Sequence, residues 1–258
     1  MRTPLIAGNW KMNTTISEAV ELVYKIKDAL DEISSVQKVI CPPFISLATI
    51  AKIIKGSSIY LGAQNMHFAE KGAYTGEISP LMLSGLCRFV IIGHSERRQY
   101  FNDTDEIINK KLRGALKAGI TPVLCVGERG HENAAGMTDE VISHQLEFAM
   151  TNVESLGDTV VAYEPLWAIG SGKSASDREA SATIGLIRNK VADIFNTEAA
   201  NGIRILYGGS VTADNIADFV GQAEIDGVLV GGASLRAEQF ISIVKQAAAV
   251  YGNQLDIT

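Results

Sequence analysis

Eight short runs of apolar, largely β-branched residues recur along this chain of 258 residues, and their spacing constrains the fold more than any other feature. They occupy residues 5–8, 36–41, 59–63, 89–93, 122–126, 160–163, 203–207 and 227–230. Their starts lie roughly 32 residues apart on average, the length of one strand–helix unit. Near-continuous apolarity, in place of strict alternation, marks parallel strands covered by helices.

The segments between the runs read as helices. Residues 16–33 carry apolar side chains at Ile16, Ala19, Val20, Leu22, Val23, Ile26, Leu30 and Ile33, and Thr15-x-x-Glu18 just before them is a capping box. Ser176-x-x-Glu179 offers a second box ahead of 184–195, and Pro80 suits the first turn of a short helix ending near Leu86. Eight alternations with no linker and no shift in composition predict one domain over residues 1–258. The fold class is α/β, and a closed (β/α)8 barrel is favoured over a doubly wound sheet, which usually has fewer strands.

Hydrophobic residues make up 47% of the chain and charged residues 20%, enough apolar surface to bury a sizeable core and to argue against disorder. The formal net charge is −6 and no basic run is present, so a nucleic-acid partner is disfavoured. No apolar run approaches the ~18 residues that span a bilayer, and residues 1–13 hold no signal-peptide core, so neither a membrane nor export is expected. Cys41, Cys87 and Cys125 are an odd count set in apolar stretches. They read as reduced, packed thiols of a cytoplasmic protein, and without Cys-x-x-Cys a structural zinc site has little support.

In barrels of this kind the chemistry gathers at the C-terminal strand ends. Asn9, Trp10 and Lys11 follow the first strand, Gln64 and Asn65 the third, and His94, Ser95, Glu96 and Arg97 the fourth. Glu164 follows the sixth, Gly208-Gly209-Ser210 the seventh and Gly231-Gly232 the eighth. Any one of these is an ordinary polar turn. An amine, an imidazole, a carboxylate and two glycine pairs on one rim predict a catalytic site. The glycine pairs allow backbone N–H groups to approach an anion, as the last two loops of such barrels do for phosphate, and Ser210 adds a hydroxyl. Lys11 is the best-placed cation for an anionic substrate.

Other motifs fail on inspection. Gly170-Ser171-Gly172-Lys173-Ser174-Ala175 matches a dinucleotide fingerprint in letters but does not open at a strand's tight turn. Gly172-Lys173-Ser174 lacks the first glycine of a phosphate loop, where Trp167 stands, and His94-x-Glu96 lacks the cysteines of a zinc deaminase. His67, His131 and His144 have no ligand spacing. No cofactor and no metal are expected.

Five segments together resemble the triosephosphate isomerase family. They are Ala7-Gly8-Asn9-Trp10-Lys11-Met12-Asn13, Gly62-Ala63-Gln64-Asn65, Gly93-His94-Ser95-Glu96-Arg97-Arg98, Ala162-Tyr163-Glu164-Pro165-Leu166-Trp167-Ala168-Ile169-Gly170 and Tyr207-Gly208-Gly209-Ser210. They occur in the family's order, and the similarity runs from Leu5 to at least Leu235. The resemblance implies a TIM barrel that interconverts dihydroxyacetone phosphate and D-glyceraldehyde 3-phosphate through an enediolate, in glycolysis and gluconeogenesis. It implies Glu164 as the base and His94 as the electrophile and proton shuttle, with Lys11 and Asn9 on the substrate. It implies that Gly170, Ser210, Gly231 and Gly232 hold the phosphate through backbone groups, and that 165–176 is a closing lid. Leu166 and Ser171 stand where the family more usually has a β-branched residue, which bears on lid kinetics.

The residues 72–79, around Thr75, resemble the family's projecting third loop, which implies a homodimer. Glu96 reads as a partner for Lys11 and not as the base. Two other classes stay open on the residues alone. One is a different phosphate-binding barrel enzyme such as an aldolase or epimerase, which needs a Schiff-base lysine or metal ligands at the rim. The other is a non-catalytic barrel that binds sugar phosphates and needs no base.

Overall fold

The computed structural model describes residues 2–168 and 175–255. Eight strands close into a parallel barrel in chain order: β1 (Leu5–Asn9), β2 (Gln37–Cys41), β3 (Ile59–Ala63), β4 (Phe89–Ile92), β5 (Thr121–Val126), β6 (Val160–Tyr163), β7 (Arg204–Tyr207) and β8 (Gly227–Val230). Each expected strand is present, its bounds moved by one residue at most. Closure runs through β1 and β8, with Leu5 opposite Gly227 and Gly8 opposite Val230. Gly227 has φ +140, and a Cβ there would lie 1.9 Å from the Leu5 carbonyl oxygen, so only glycine lets the first and last strands meet.

The near-continuous apolarity of the strands has its reason in two separate cores. Leu5, Ala7, Val39, Cys41, Phe89, Ile91, Val123, Cys125, Val160, Ala162, Leu206 and Leu229 fill the barrel interior. Their neighbours, such as Ile6, Ile40, Val90, Ile92, Leu124 and Val161, point outward and pack under the helices. Both faces of every strand are therefore buried, and alternation is lost. All three cysteines are free and buried. Burial pushes the Cys87 thiol up to about 12 and raises Cys41 further.

Helix Ile16–Asp31 is capped as its sequence requires: Thr15 accepts from the Glu18 backbone while Glu18 reaches back to Thr15. Ala19, Leu22, Val23, Ile26 and Leu30 are its buried face, and the helix stops two residues short of Ile33, which packs from the following turn. Ser176 and Glu179 form the second box at the start of Asp177–Ile194. Pro80–Ser84 ends two residues before Leu86, with Gly85 as its C-cap. Among the described residues, no helix is long and apolar enough to cross a membrane.

Candidate active site

A cavity of about 260 Å3 opens at the C-terminal ends of the strands. Asn9, Lys11, His94, Glu164, Gly208, Gly209, Ser210, Gly231 and Gly232 all line it, so the fold brings the rim residues named from the sequence to one place. Gly170 lies outside the described residues, as does most of the expected lid tip. Arg236 also lines the cavity, and no sequence signal distinguished it from other surface arginines.

His94 and Glu164 are the buried pair at its floor. His94 N-caps the helix Ser95–Tyr100, and its Nδ1 accepts the Glu96 backbone N–H at 3.2 Å. A ring nitrogen that accepts carries no proton, so the hydrogen sits on Nε2, which points at Glu164 Oε1 from 3.1 Å. The other carboxylate oxygen accepts the Ser95 N–H at 3.0 Å, at the start of the same short helix. Both oxygens of Glu164 are thus held by one segment, 94–95, which follows β4, two strands from its own.

The backbone around Glu164 leaves no slack. Its N–H donates to Val126 at 2.7 Å, and a Cβ at Gly127 would lie 1.9 Å from its carbonyl oxygen. A Cβ at Gly208 would lie 2.8 Å from its Cγ. Below it, burial first and then the Glu164 charge push the Cys125 thiol well above its ordinary value. That thiol stays protonated and inert.

Lys11 reaches the same cavity in an uncommon backbone state, φ 53, for a non-glycine residue. Two side chains hold it there: Asn9 Oδ1 accepts its N–H at 3.0 Å, and Gln64 Nε2 donates to its carbonyl at 2.8 Å. Its ammonium pairs with Glu96 Oε1 at 2.6 Å, the partner role expected for Glu96. On the opposite wall a Cβ at Gly231 would lie 3.6 Å from Lys11 Cε, so the amine and the last glycine pair face each other. Gly209 is required for its own reason, since a Cβ there would collide with the Tyr207 hydroxyl at 2.1 Å. The Ser210 hydroxyl is not directed at an anion: it donates to the Ala168 carbonyl at 2.8 Å and leaves the Ser210 backbone for that task.

The root of the expected lid is anchored by a residue the sequence did not single out. Glu128 is fully buried, and its Oε1 accepts from Trp167 Nε1 at 2.8 Å, Tyr163 at 3.2 Å and Asn133 at 3.2 Å. Its backbone carbonyl also accepts the Leu166 N–H at 3.0 Å. Burial, and then the Glu128 charge, push the Tyr163 hydroxyl upward, so it stays a donor. Glu128 follows β5, and the strand-end rule applied to that strand would have reached it.

A sequence model of the family described as triosephosphate isomerase matches residues 4–247. The chain belongs to the triosephosphate isomerase family. It is 54% identical over 250 residues to the triosephosphate isomerase of Dehalococcoides mccartyi strain CBDB1, covering 97% of this chain and 98% of that one. It is 50% identical over 251 residues to that of Caldanaerobacter subterraneus subsp. tengcongensis, with 95% and 99% covered. The crystal structure of triosephosphate isomerase from Bartonella henselae superposes with a TM-score of 0.87 at 35% identity, covering 95% of this chain and 98% of that chain. Membership of the triosephosphate isomerase family accounts for the eight-strand closure and for the five sequence segments by one explanation.

Proposed function

We propose that this protein is a triose-phosphate isomerase, an aldose–ketose isomerase that moves a proton between two adjacent carbons of dihydroxyacetone phosphate and D-glyceraldehyde 3-phosphate through an enediolate. Glycolysis and gluconeogenesis are the routes that use the reaction. The observation that carries the reading is the contact of His94 Nε2 with Glu164 Oε1 at 3.1 Å, on the floor of a cavity that Lys11 also lines. A carboxylate and a ring N–H that close on one small volume suit simultaneous proton removal from carbon and donation to oxygen.

Each residue then has a task. Glu164 takes the carbon-bound proton and returns it to the neighbouring carbon. The Nε2–H of His94 hydrogen-bonds the carbonyl oxygen as negative charge develops and carries the proton between the two oxygens. Lys11 supplies fixed positive charge beside that developing charge, and Asn9 orients both Lys11 and substrate. The backbone N–H groups of Gly170, Ser210, Gly231 and Gly232 hold the phosphate. No step calls on a cofactor or metal.

Residues 1–258 act in this reading as one catalytic domain, in the cytoplasm and as a homodimer. Large exposed apolar side chains support the dimer: Met12 follows β1, Ile45 follows β2, Tyr74 and Met82 follow β3, and Tyr100 and Phe101 follow β4. These four strands are consecutive around the barrel, so one side of the rim carries the apolar surface. The test is a coupled assay of purified protein with each triose phosphate in turn. Isomerisation in both directions is the expected result, and phosphate binding without turnover would leave only a binder.

A further inference from the structure

The N-terminal end of the barrel, opposite the proposed active site, holds a second polar cavity of about 340 Å3, lined by Arg2, Gln37, Arg88, Thr121, Asp158 and Arg204 among others. Arg204 opens β7 and lies two residues before Leu206, so it shares the inward face of that strand, beneath the apolar interior. Its hydrogen bond among the described residues is to a neutral acceptor, Gln37 Oε1, at 2.6 Å. Burial works against its charge, and the neighbouring Arg88 adds to that, while Asp158 and Asp226 oppose the effect.

Both carboxylates are already paired, and one of them, Asp158, lines this same cavity. Asp226 accepts from Arg2 Nε at 2.6 Å, from an Arg188 guanidinium nitrogen at 2.9 Å and from the Ile205 N–H at 2.8 Å. Asp158 pairs with Arg88 at 2.6 Å, with both side chains at least half exposed. Among the described residues, the side-chain hydrogen bonds of Arg204 and Arg88 are those to Gln37 and Asp158, which leaves most of their N–H donors for the cavity. Thr121 lines the same wall. Three arginines, Arg2, Arg88 and Arg204, and one carboxylate, Asp158, line the cavity, so its lining is net positive.

We propose that this mouth binds a small tetrahedral oxyanion of the phosphate or sulfate class, held by Arg204 and Arg88 with Thr121 on the wall. The rigid fork of a guanidinium matches the oxygen spacing of such an anion, and charge-assisted hydrogen bonds of this kind are the strong ones. Binding to the folded chain alone would stabilise it in proportion to anion concentration, independently of catalysis.

The experiment is an amide-resolved NMR titration of the full chain with sodium sulfate, against sodium chloride at matched ionic strength. Sulfate is expected to move two separate groups of amides, one near Ser210 and Gly232 and one near Gln37, Thr121 and Arg204. Arg204→Gln should abolish the second group and spare the first, with isomerase activity unchanged. Arg88→Gln, at a half-exposed position that tolerates change, should weaken the second response roughly tenfold and keeps the test available if the Arg204 variant does not fold. The proposal is overturned if sulfate leaves Gln37, Thr121 and Arg204 unmoved, if chloride moves them equally, or if the response persists unchanged in either variant.

Discussion

His94 Nε2 lies 3.1 Å from Glu164 Oε1, although the two residues are 70 positions apart and stand at the ends of strands separated by β5. The contact is made by the pairing of β4 and β6 on either side of β5, and it joins the one carboxylate to the one imidazole that line the rim cavity. Glu164→Gln retains the shape and a hydrogen-bonding oxygen but removes the base. Turnover should fall by about 10² to 10⁴, with affinity for a phosphate-bearing inhibitor nearly intact. Near-normal turnover in a folded Glu164→Gln protein would take the residue out of the mechanism.

Stability should depend on a buried ion cluster behind the third and fourth loops. Asp103 accepts from Arg97 at 2.8 Å and from Lys111 at 2.7 Å, and Lys111 also donates to Asn65 at 2.8 Å. Burial alone would raise the Asp103 carboxyl, but the hydrogen bonds and charges of Arg97 and Lys111 outweigh it and hold the group below its ordinary value. A carboxylate lowered by folding contributes stability above its unfolded value, near 3.9, and loses it as pH falls through the folded one. Asp103→Asn should therefore cost about 3–5 kcal/mol at neutral pH by stranding Lys111, and should flatten the acid limb of the stability curve. Denaturant unfolding at several pH values checks both. An acid limb of unchanged steepness in the variant would assign acid sensitivity to other groups.

The proposed dimer makes Thr75 a sensitive position, since its loop is exposed in the single chain and stands beside Tyr74, which is 47% exposed. Thr75→Arg would bring an unpaired charge into a subunit contact, where desolvation costs several kcal/mol. Sedimentation should show dissociation, and activity should fall with it. An active, stable monomer would separate assembly from catalysis.

The strands and the rim were legible because their signals are local. Each strand is a largely apolar run, His94 and Glu164 are the first polar residues after theirs, and Lys11 stands two residues beyond Asn9. What was not legible depends on pieces that only the folded chain brings together. Ser95 contributes nothing through its side chain to Glu164, only a backbone N–H, and no residue type announces that. The Ser210 hydroxyl reads as an anion donor until the Ala168 carbonyl is seen to occupy it. Glu128 carries the same strand-end signal after β5, but its task as an acceptor shows only in the fold, because Asn133, Tyr163 and Trp167 lie on separate elements. The end of Ile16–Asp31 was overrun by the apolar pattern, because Ile33 packs on the core from a turn as well as it would from a helix.

The glycine at 208 offers the most specific test of how the base is positioned. Its N–H donates to the Tyr163 carbonyl at 2.8 Å, which ties the end of β7 to the residue before Glu164. A methyl group added there would lie 2.8 Å from Glu164 Cγ and 3.2 Å from the Tyr163 carbonyl oxygen. The first contact is with a side chain that has room on the cavity side and the second is with fixed backbone, so Glu164 is the group that yields. Displacement would lengthen its bonds to His94 and Ser95 and move the carboxylate off the line to the reacting carbon. A misplacement of about 1 Å costs on the order of 10²-fold in rate. Gly208→Ala should thus lower kcat by about that factor while the fold, measured by thermal unfolding, stays close to that of the parent. The backbone of Ser210 and Gly232, proposed to bind the phosphate, is not in the path of the methyl group, so KM should change far less than kcat. If KM rises and kcat holds, Gly208 serves the phosphate and not the base. If neither changes, the 2.8 Å approach is relieved without moving Glu164, and the carboxylate does not owe its position to this wall.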